Sequence, residues 1–246
     1  MKLVTPLSIS SGDPTRGHDP QQLVAKIPLF ASLEPEVRKP LAALIRVRSY
    51  SARQFVVWEG EPGGTLFLSL SGYFKAVTTG SDGTEMLLSV MGPGEVLGEL
   101  SVLDGQPRSA SVIAIEPGEL AFIDRPALLG LMASSPSLAI GLVAVLAQRV
   151  RSLTKRFEIL SRQDVPGRLA QALLSLAEKH GQKLGQQQLR IPVRLSQQDF
   201  ASMVGATRES VNKQLREWTR TGMLRRETGC MIIADMPALR AASGTP

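Results

Sequence analysis

Hydrophobic and polar residues alternate in short runs between residues 45 and 125, and glycines separate the runs. Examples are QFVVWEG, TLFLSLSG and EMLLSVMG. A period of two is typical of half-buried strands, and turns about every eight to twelve residues indicate an antiparallel barrel or jelly roll. Two short helical patterns occupy 21–44. The N-terminal half is therefore predicted to be a β-rich domain that follows short helices.

A different period begins near residue 135. Apolar residues recur at steps of three and four, which defines a seam made of Val143, Leu146, Val150, Leu153, Phe157 and Leu160. This spacing is typical of the a and d positions of a coiled coil, and Arg149, Arg151, Lys155 and Arg156 flank it. We predict a helix over 135–163 that pairs in parallel with a second copy, so that the protein is a homodimer. Asp164 to Gly167 would end this helix and form a hinge.

Residues 195–218 have the pattern of two helices joined by a tight turn. Ser196 and Asp199 have the spacing of a capping box, and Thr207 is a good cap for the second helix. Gly205 stands where the chain must turn sharply, which suits a residue that can take positive φ. The spacing of Val211, Leu215 and Trp218 predicts one buried stripe. These features together predict a helix–turn–helix.

The opposite face of the second helix carries side chains of the kinds that contact bases and phosphates of DNA. Arg208 and Glu209 lie in its first turn, where arginine can bind guanine and glutamate can accept from cytosine. We expect the DNA-contact set to be Ser196, Gln197, Thr207, Arg208, Glu209, Asn212, Lys213 and Arg216. Arg216 and Arg220 are expected to contact phosphates, which position the protein without reading sequence. The alternative is an amphipathic hairpin with a solvated basic face.

The distribution of charge favours DNA binding. The 246-residue chain has a net charge of +6, which decides little by itself. Residues 140–226 contain 16 Lys and Arg against 6 Asp and Glu, whereas residues 1–139 contain 11 against 14. Positive charge is therefore concentrated in the C-terminal half, as expected of a module that contacts phosphates.

Composition excludes several other kinds of site. Cys230 is the single cysteine, so a cysteine metal cage or an intrachain disulfide cannot form. His18 and His180 are expected to be exposed residues without a metal. No run of 18 uncharged apolar residues or basic signal segment is present, and we expect a cytoplasmic protein without a membrane contact. Residues 1–20 are expected to form a flexible tail, and the length suffices for two domains with their own cores.

The segment 94–112, GEVLGELSVLDGQPRSASV, combines groups that suit a phosphate. Arg108, the neighbouring hydroxyl of Ser109 and free N–H groups at a helix start could bind the anion. Glu99 could accept from a ribose hydroxyl. The alternative is a surface ion pair between Arg108 and Glu99 that joins two loops.

The order of these motifs resembles that of the catabolite activator and fumarate-nitrate regulator family of transcription regulators. The resemblance covers about residues 25–234 and rests on Gly-Glu-Leu, Arg-Ser-Ala, the long helix and the helix–turn–helix. It implies an α+β fold in which a cyclic-nucleotide-binding β-roll precedes a dimerisation helix and a winged helix–turn–helix, with the wing at 225–233. It also implies a palindromic double-stranded operator and contact with RNA polymerase. The single cysteine excludes the family's iron–sulfur branch.

By the same resemblance, the nucleotide is bound by Gly98, Glu99, Leu100, Arg108, Ser109 and Thr154. Arg108 and Ser109 would hold the cyclic phosphate, and Glu99 the ribose. Thr154 would contact the base from the partner subunit. Leu153 stands where the cAMP branch has a hydroxyl, and a lost buried hydrogen bond costs about 1 kcal/mol. cAMP, another cyclic nucleotide and a vestigial pocket therefore all stay open.

The predicted organisation has four parts: a tail (1–20), a β-roll (21–134), a dimerisation helix (135–163) and the DNA-binding domain (164–246). Three functions follow from it. The preferred one is a dimeric regulator controlled by a cyclic nucleotide, without any catalytic residue or other cofactor. The second is a regulator that needs no effector. The third, a cupin-like enzyme, is disfavoured because the 45–125 barrel contains no histidine for a metal.

Overall fold

The computed structural model describes residues 27–31, 33–185 and 188–244. The predicted tail lies outside these residues. The α+β class is confirmed: a β-roll is followed by one long helix and a helical module with a small sheet.

The roll consists of two four-stranded sheets, with strand orders β1-β8-β3-β6 and β2-β7-β4-β5. Short helices α1 (Pro28–Ala31) and α2 (Pro35–Leu44) precede it, and α3 (Glu99–Asp104) lies between its sixth and seventh strands. The strands are β1 (Arg46–Tyr50), β2 (Phe55–Val57), β3 (Thr65–Ser71), β4 (Phe74–Thr79), β5 (Glu85–Met91), β6 (Val96–Leu97), β7 (Ser111–Ala114) and β8 (Gly118–Asp124). Neighbouring strands pair antiparallel, as the alternation predicted.

Helix α4 (Arg125–Ser134) leads into the long helix α5 (Pro136–Arg162), whose bounds differ by one residue at each end from the predicted 135–163. Its first half packs on the roll through Leu138 and Leu142, which are buried. By length and mean hydropathy alone, α5 could cross a membrane. Arg149 and Arg156, however, extend from α5 to bind groups of the roll. This places α5 against protein along that side, so we treat it as an amphipathic helix of the roll.

The C-terminal module begins at once, because Asp164 caps α6 (Val165–His180) by accepting from the Gly167 N–H at 3.0 Å. The predicted hinge is therefore reduced to residues 163 and 164. The helix–turn–helix is α7 (Gln197–Val204) and α8 (Arg208–Arg220), and α9 (Met236–Ala242) packs on α6. A sheet of order β11-β12-β10-β9 contains β9 (Gln182–Leu184), β10 (Gln188–Ile191), β11 (Leu224–Glu227) and β12 (Cys230–Ile233). The last two strands form the wing hairpin that was predicted at 225–233.

In the polar segment that follows α6, β9 pairs with β10, and β10 pairs with β12. One expectation for this region is wrong. His180 is the last residue of α6 and its side chain is only 5% exposed, with its Nδ1 3.7 Å from Glu95 and its ring edge-on to Tyr73. Burial lowers the pKa of His180 below its ordinary value, although Glu95 opposes that shift.

The two halves of the chain share a hydrophobic core. Val77, Leu87 and Val90 of the roll belong to the same buried cluster as Leu173 of α6 and Val211 of α8. The C-terminal module therefore packs against the roll. The sequence predicted two domains with their own cores and gave no indication of this shared cluster.

Candidate nucleotide pocket and DNA-binding face

Gly98 stands at the entrance to α3 with a φ of 75°. A Cβ atom at this position would lie 2.4 Å from Nη1 of Arg108 and 3.2 Å from the carbonyl oxygen of Thr65. Glycine is therefore required twice, once by the left-handed backbone and once by the close approach of the guanidinium.

Arg108 is buried, with 6% of its surface exposed. Its Nη1 donates to the Gly98 carbonyl at 3.1 Å and to the Ser101 hydroxyl at 2.7 Å, and its Nη2 donates to the Thr65 carbonyl at 2.8 Å. Burial lowers the pKa of Arg108, while Glu99 and Glu61 oppose that shift. The cation is thus held in the roll by neutral oxygens, an arrangement that leaves it able to attract an anion.

Glu99 is 1% exposed and its Oε1 lies 2.9 Å from Nη1 of Arg149 in α5. Nη2 of Arg149 also donates to the Val96 carbonyl at 2.6 Å. Within the described residues, Oε2 of Glu99 has no hydrogen-bond partner. A buried carboxylate oxygen without a donor is costly, so this atom suits a hydroxyl group of a ligand.

The alternative of a surface pair between Arg108 and Glu99 is wrong, because both side chains are buried and Glu99 pairs with Arg149. Sequence reasoning placed Arg149 only beside the seam. No local pattern could have identified its partner, because a residue beside the seam can face either the partner helix or its own roll.

The other expected pocket residues are placed differently. Leu100 is 43% exposed, and Ser109 is exposed at the surface of the roll. The hydroxyl of Thr154 donates to the Val150 carbonyl of its own helix at 3.0 Å. The structure therefore brings Gly98, Glu99 and Arg108 together, while Leu100, Ser109 and Thr154 remain open to solvent.

The local geometry of the helix–turn–helix agrees with the sequence pattern. Ser196 and Asp199 form a reciprocal capping box, with the Ser196 N–H donating to Asp199 at 2.8 Å. Gly205 has a left-handed φ of 61°, and Thr207 caps α8 by accepting from the Ser210 N–H at 3.1 Å. Each of these features depends only on neighbouring residues, which is why the sequence predicts it.

The outer face of α8 points away from the rest of the chain. Its buried side consists of Val211, Leu215 and Trp218, as predicted. The exposed side chains on this helix include Arg208, Glu209, Lys213, Arg216 and Arg220.

Several of the expected contact residues already have partners within the chain. Asn212 is half-buried and its Oδ1 accepts from Gln197 at 2.9 Å. Arg220 binds Glu217 at 2.7 Å through its Nη2. Exposed pairs contribute little to stability, so Arg220 can exchange Glu217 for a phosphate.

An open groove of about 430 Å³ lies between α8 and the wing. Gln197, Asn212 and Arg216 line it together with Arg226 of β11. Sequence reasoning did not assign Arg226, since its proximity to α8 depends on the pairing of β11 with β12. The groove presents cations and amides to the same side as the exposed face of α8.

The comparisons with known proteins agree with this architecture. Residues 47–135 match the cyclic nucleotide-binding domain family, and residues 167–242 match the Crp-like helix-turn-helix domain family. A CRP-like cAMP-activated global transcriptional regulator of Mycobacterium tuberculosis is 35% identical over 218 residues, which cover 89% of this chain and 97% of that protein. The cyclic AMP receptor protein of Thermus thermophilus is 32% identical, covering 86% of this chain and 94% of that protein.

A solved structure, that of FixK2 from Bradyrhizobium japonicum, superposes with a TM-score of 0.71 at 20% identity. The match covers 82% of this chain and 98% of that one, and it supports the fold alone. The two family domains occur in the same order as the roll and the helix–turn–helix, and the relatives match over nearly their whole length. The chain therefore belongs to the CRP/FNR family, whose members are transcription regulators and not enzymes.

Proposed function

We propose that this protein is a dimeric, sequence-specific transcription regulator whose affinity for DNA is controlled by a cyclic nucleotide, with cAMP as the first candidate. The observation that carries the proposal is the Glu99–Arg149 pair, because it joins the nucleotide cassette to the helix that continues into the DNA-binding module. The names of the two relatives, one cAMP-activated and one a cyclic AMP receptor, support cAMP.

The chemistry of the pocket fits a cyclic nucleotide. Arg108 supplies a buried cation for the phosphate, and the free Oε2 of Glu99 supplies an acceptor for the ribose. Ser109 and Thr154 are open to solvent and complete the expected set when a ligand is present. Because Arg149 belongs to α5, a ligand that displaces the Glu99 carboxylate would also displace α5.

The exposed seam of α5 supports a dimer. Val143, Val150, Leu153 and Phe157 are each more than half exposed. Four large apolar side chains at coiled-coil spacing are covered if a second copy of the helix packs against them. Ile140, which the seam did not include, is 69% exposed and would extend this surface.

A dimer of this kind presents two recognition helices to one face of the duplex. The operator is then palindromic, with half-sites about one helical turn apart. A regulator of this class acts in the cytoplasm and, by its family, contacts RNA polymerase. The domain limits proposed from the sequence, with the helix at 135–163 as the connector, suit this arrangement.

Calorimetry and operator selection test the function together. The full-length protein is titrated with cAMP, cGMP and cyclic di-GMP, and random DNA is selected with and without the nucleotide that binds. We expect heat with cAMP and enrichment of a palindrome mainly in its presence. Absence of heat with all three nucleotides would contradict the proposed control by a cyclic nucleotide.

A second candidate is a regulator that needs no effector. It is favoured by Leu153 at the position of the expected base contact, and by the three protein oxygens that already accept hydrogen bonds from Arg108. Its distinguishing result is enrichment of the same palindrome, with the same affinity, whether or not a nucleotide is added.

Contacts to bases, which set sequence preference, can be separated experimentally from contacts to phosphates, which bind any duplex. We expect Glu209→Ala to cost about 1–3 kcal/mol at one base pair and to relax the preference there, because the carboxylate accepts from a base. Arg216→Ala should weaken binding to all sequences and reduce the salt dependence by about one phosphate contact. Operator and random duplexes are compared by fluorescence anisotropy at several salt concentrations. Equal losses on both duplexes for both variants would contradict these roles.

A further inference from the structure

Helix α5 presents two arginines to its own roll, one heptad apart. Arg149 binds Glu99 and Val96, as described above. Seven residues further along, which is about 10 Å of helix, Arg156 reaches a different set of groups. Its guanidinium donates to the Leu88 carbonyl, to the Leu87 carbonyl at 2.9 Å and to the Met203 carbonyl at 3.1 Å. One side chain of α5 therefore touches both the roll and the helix–turn–helix.

The acceptors of Arg156 lie where regular secondary structure is interrupted or ends. Leu87 and Leu88 lie on β5, the last strand of its sheet, and the pairing with β4 shifts register at Leu88, which leaves backbone groups there without ladder partners. Met203 lies in the last turn of α7, where carbonyls lack intrahelical donors and a cation is favourable. Burial lowers the pKa of Arg156. A half-buried cation with these three partners fixes the end of α7 relative to β5.

The first turn of α7 is held as well. Nζ of Lys75, on β4, lies 2.5 Å from Oδ1 of Asp199, and both side chains are less than a fifth exposed. Burial acts to raise the pKa of Asp199, but hydrogen bonds from Lys75 and Ser196 outweigh it and lower that pKa. Helix α7 is thus bound at both ends by basic side chains, one from the roll and one from α5.

We propose that Arg156 is a positioning residue that couples the nucleotide pocket to the DNA-binding module. No proline or glycine lies between residues 149 and 156, so this part of α5 moves as one body. A rotation or shift of α5 that follows a change at the Arg149–Glu99 pair also displaces Arg156. Because Arg156 binds α7, the displacement reaches the recognition helix that follows the Gly205 turn. This inference rests on the proposed control by a cyclic nucleotide.

The coupling is measured as the ratio of operator Kd without and with cAMP. Arg156→Met keeps the length of the side chain and removes its donors. Arg151→Met is the matched control, because Arg151 is an exposed arginine of the same helix. In the wild type, a coupling of roughly 5–150-fold is typical of an allosteric protein. We expect the ratio to fall toward one in Arg156→Met, to stay unchanged in Arg151→Met, and to recover in part in Arg156→Lys. The calorimetric affinity for cAMP should stay unchanged in all three.

A wild-type ratio in Arg156→Met would overturn the inference and leave the proposed function intact. If cAMP fails to change operator affinity in the wild type, the proposed function fails. Hydrogen exchange of backbone amides then tests separately whether Arg156 positions α7. Faster exchange in β5 and α7 of Arg156→Met than of Arg151→Met would show that Arg156 positions α7. Equal exchange in both variants would overturn that role too.

Discussion

Gly98→Ala is expected to destabilise the roll and to abolish binding of cAMP. The new Cβ would lie 2.4 Å from Nη1 of Arg108, so the guanidinium must leave the carbonyl oxygens of Gly98 and Thr65. The left-handed φ of 75° adds a backbone penalty of about 1–2 kcal/mol for alanine. Loss of the buried hydrogen bonds adds roughly 1–3 kcal/mol. Displacement of Arg108 also removes the cation that we propose for the phosphate.

Gly83→Ala is the matched control for this prediction. Gly83 has a φ of 80°, but a Cβ there meets no atom within 4 Å. Alanine at Gly83 should therefore lower the free energy of unfolding only through the backbone conformation, and it leaves Arg108 in place. Urea unfolding and calorimetry with cAMP are measured on both variants. Equal losses of stability, or full cAMP binding by Gly98→Ala, would show that the approach of Arg108 to Gly98 is not needed.

The parts of the fold that the sequence predicts well are those that depend on near neighbours. The capping box at Ser196, the turn at Gly205 and the cap at Thr207 each involve residues a few positions apart. The seam of α5 is a property of one helix, and its exposure in a single chain follows from its period. Such features can be derived without knowledge of the tertiary arrangement.

The pocket was predicted only in part, because its decisive contact joins distant segments. Glu99 and Arg149 are fifty positions apart, and nothing in either segment identifies the other as its partner. His180 was expected to be exposed because it precedes a polar stretch. It is buried because α6 packs its last turn against Tyr73 and Glu95 of the roll.

The packing of the DNA-binding module on the roll escaped prediction for the same reason. The sequence predicts that Asp199 forms a capping box with Ser196, and the structure confirms it. The same carboxylate also binds Lys75. A residue that satisfies a local pattern gives no indication of a second, distant partner. The contacts that we propose for allosteric control are therefore the ones that local patterns are least able to reveal.

Phe157→Glu is expected to split the proposed dimer and to abolish operator binding at concentrations where the wild type is bound. Phe157 is 74% exposed at an a position of the seam, so a dimer would bury one phenyl ring from each copy. Each ring contributes about 1.5–3 kcal/mol on burial, and two glutamates in its place would repel each other. Since 1.4 kcal/mol is tenfold in affinity, we expect dimerisation to weaken by roughly a thousandfold. A monomer contacts one half-site, so it also loses the gain from simultaneous binding of two.

Ser152→Glu is the control, because it adds the same charge at an exposed position on the other side of α5. Sedimentation velocity and operator titration are measured on both variants and the wild type. Because the Phe157 side chain is largely exposed within one chain, each Phe157→Glu protomer should keep its fold, and circular dichroism should match the wild type. A Phe157→Glu protein that sediments as a dimer and binds the operator normally would show that another surface joins the two copies. In that case Thr154 would not reach the partner's pocket through this seam, and the proposed contact to the base would fail with it.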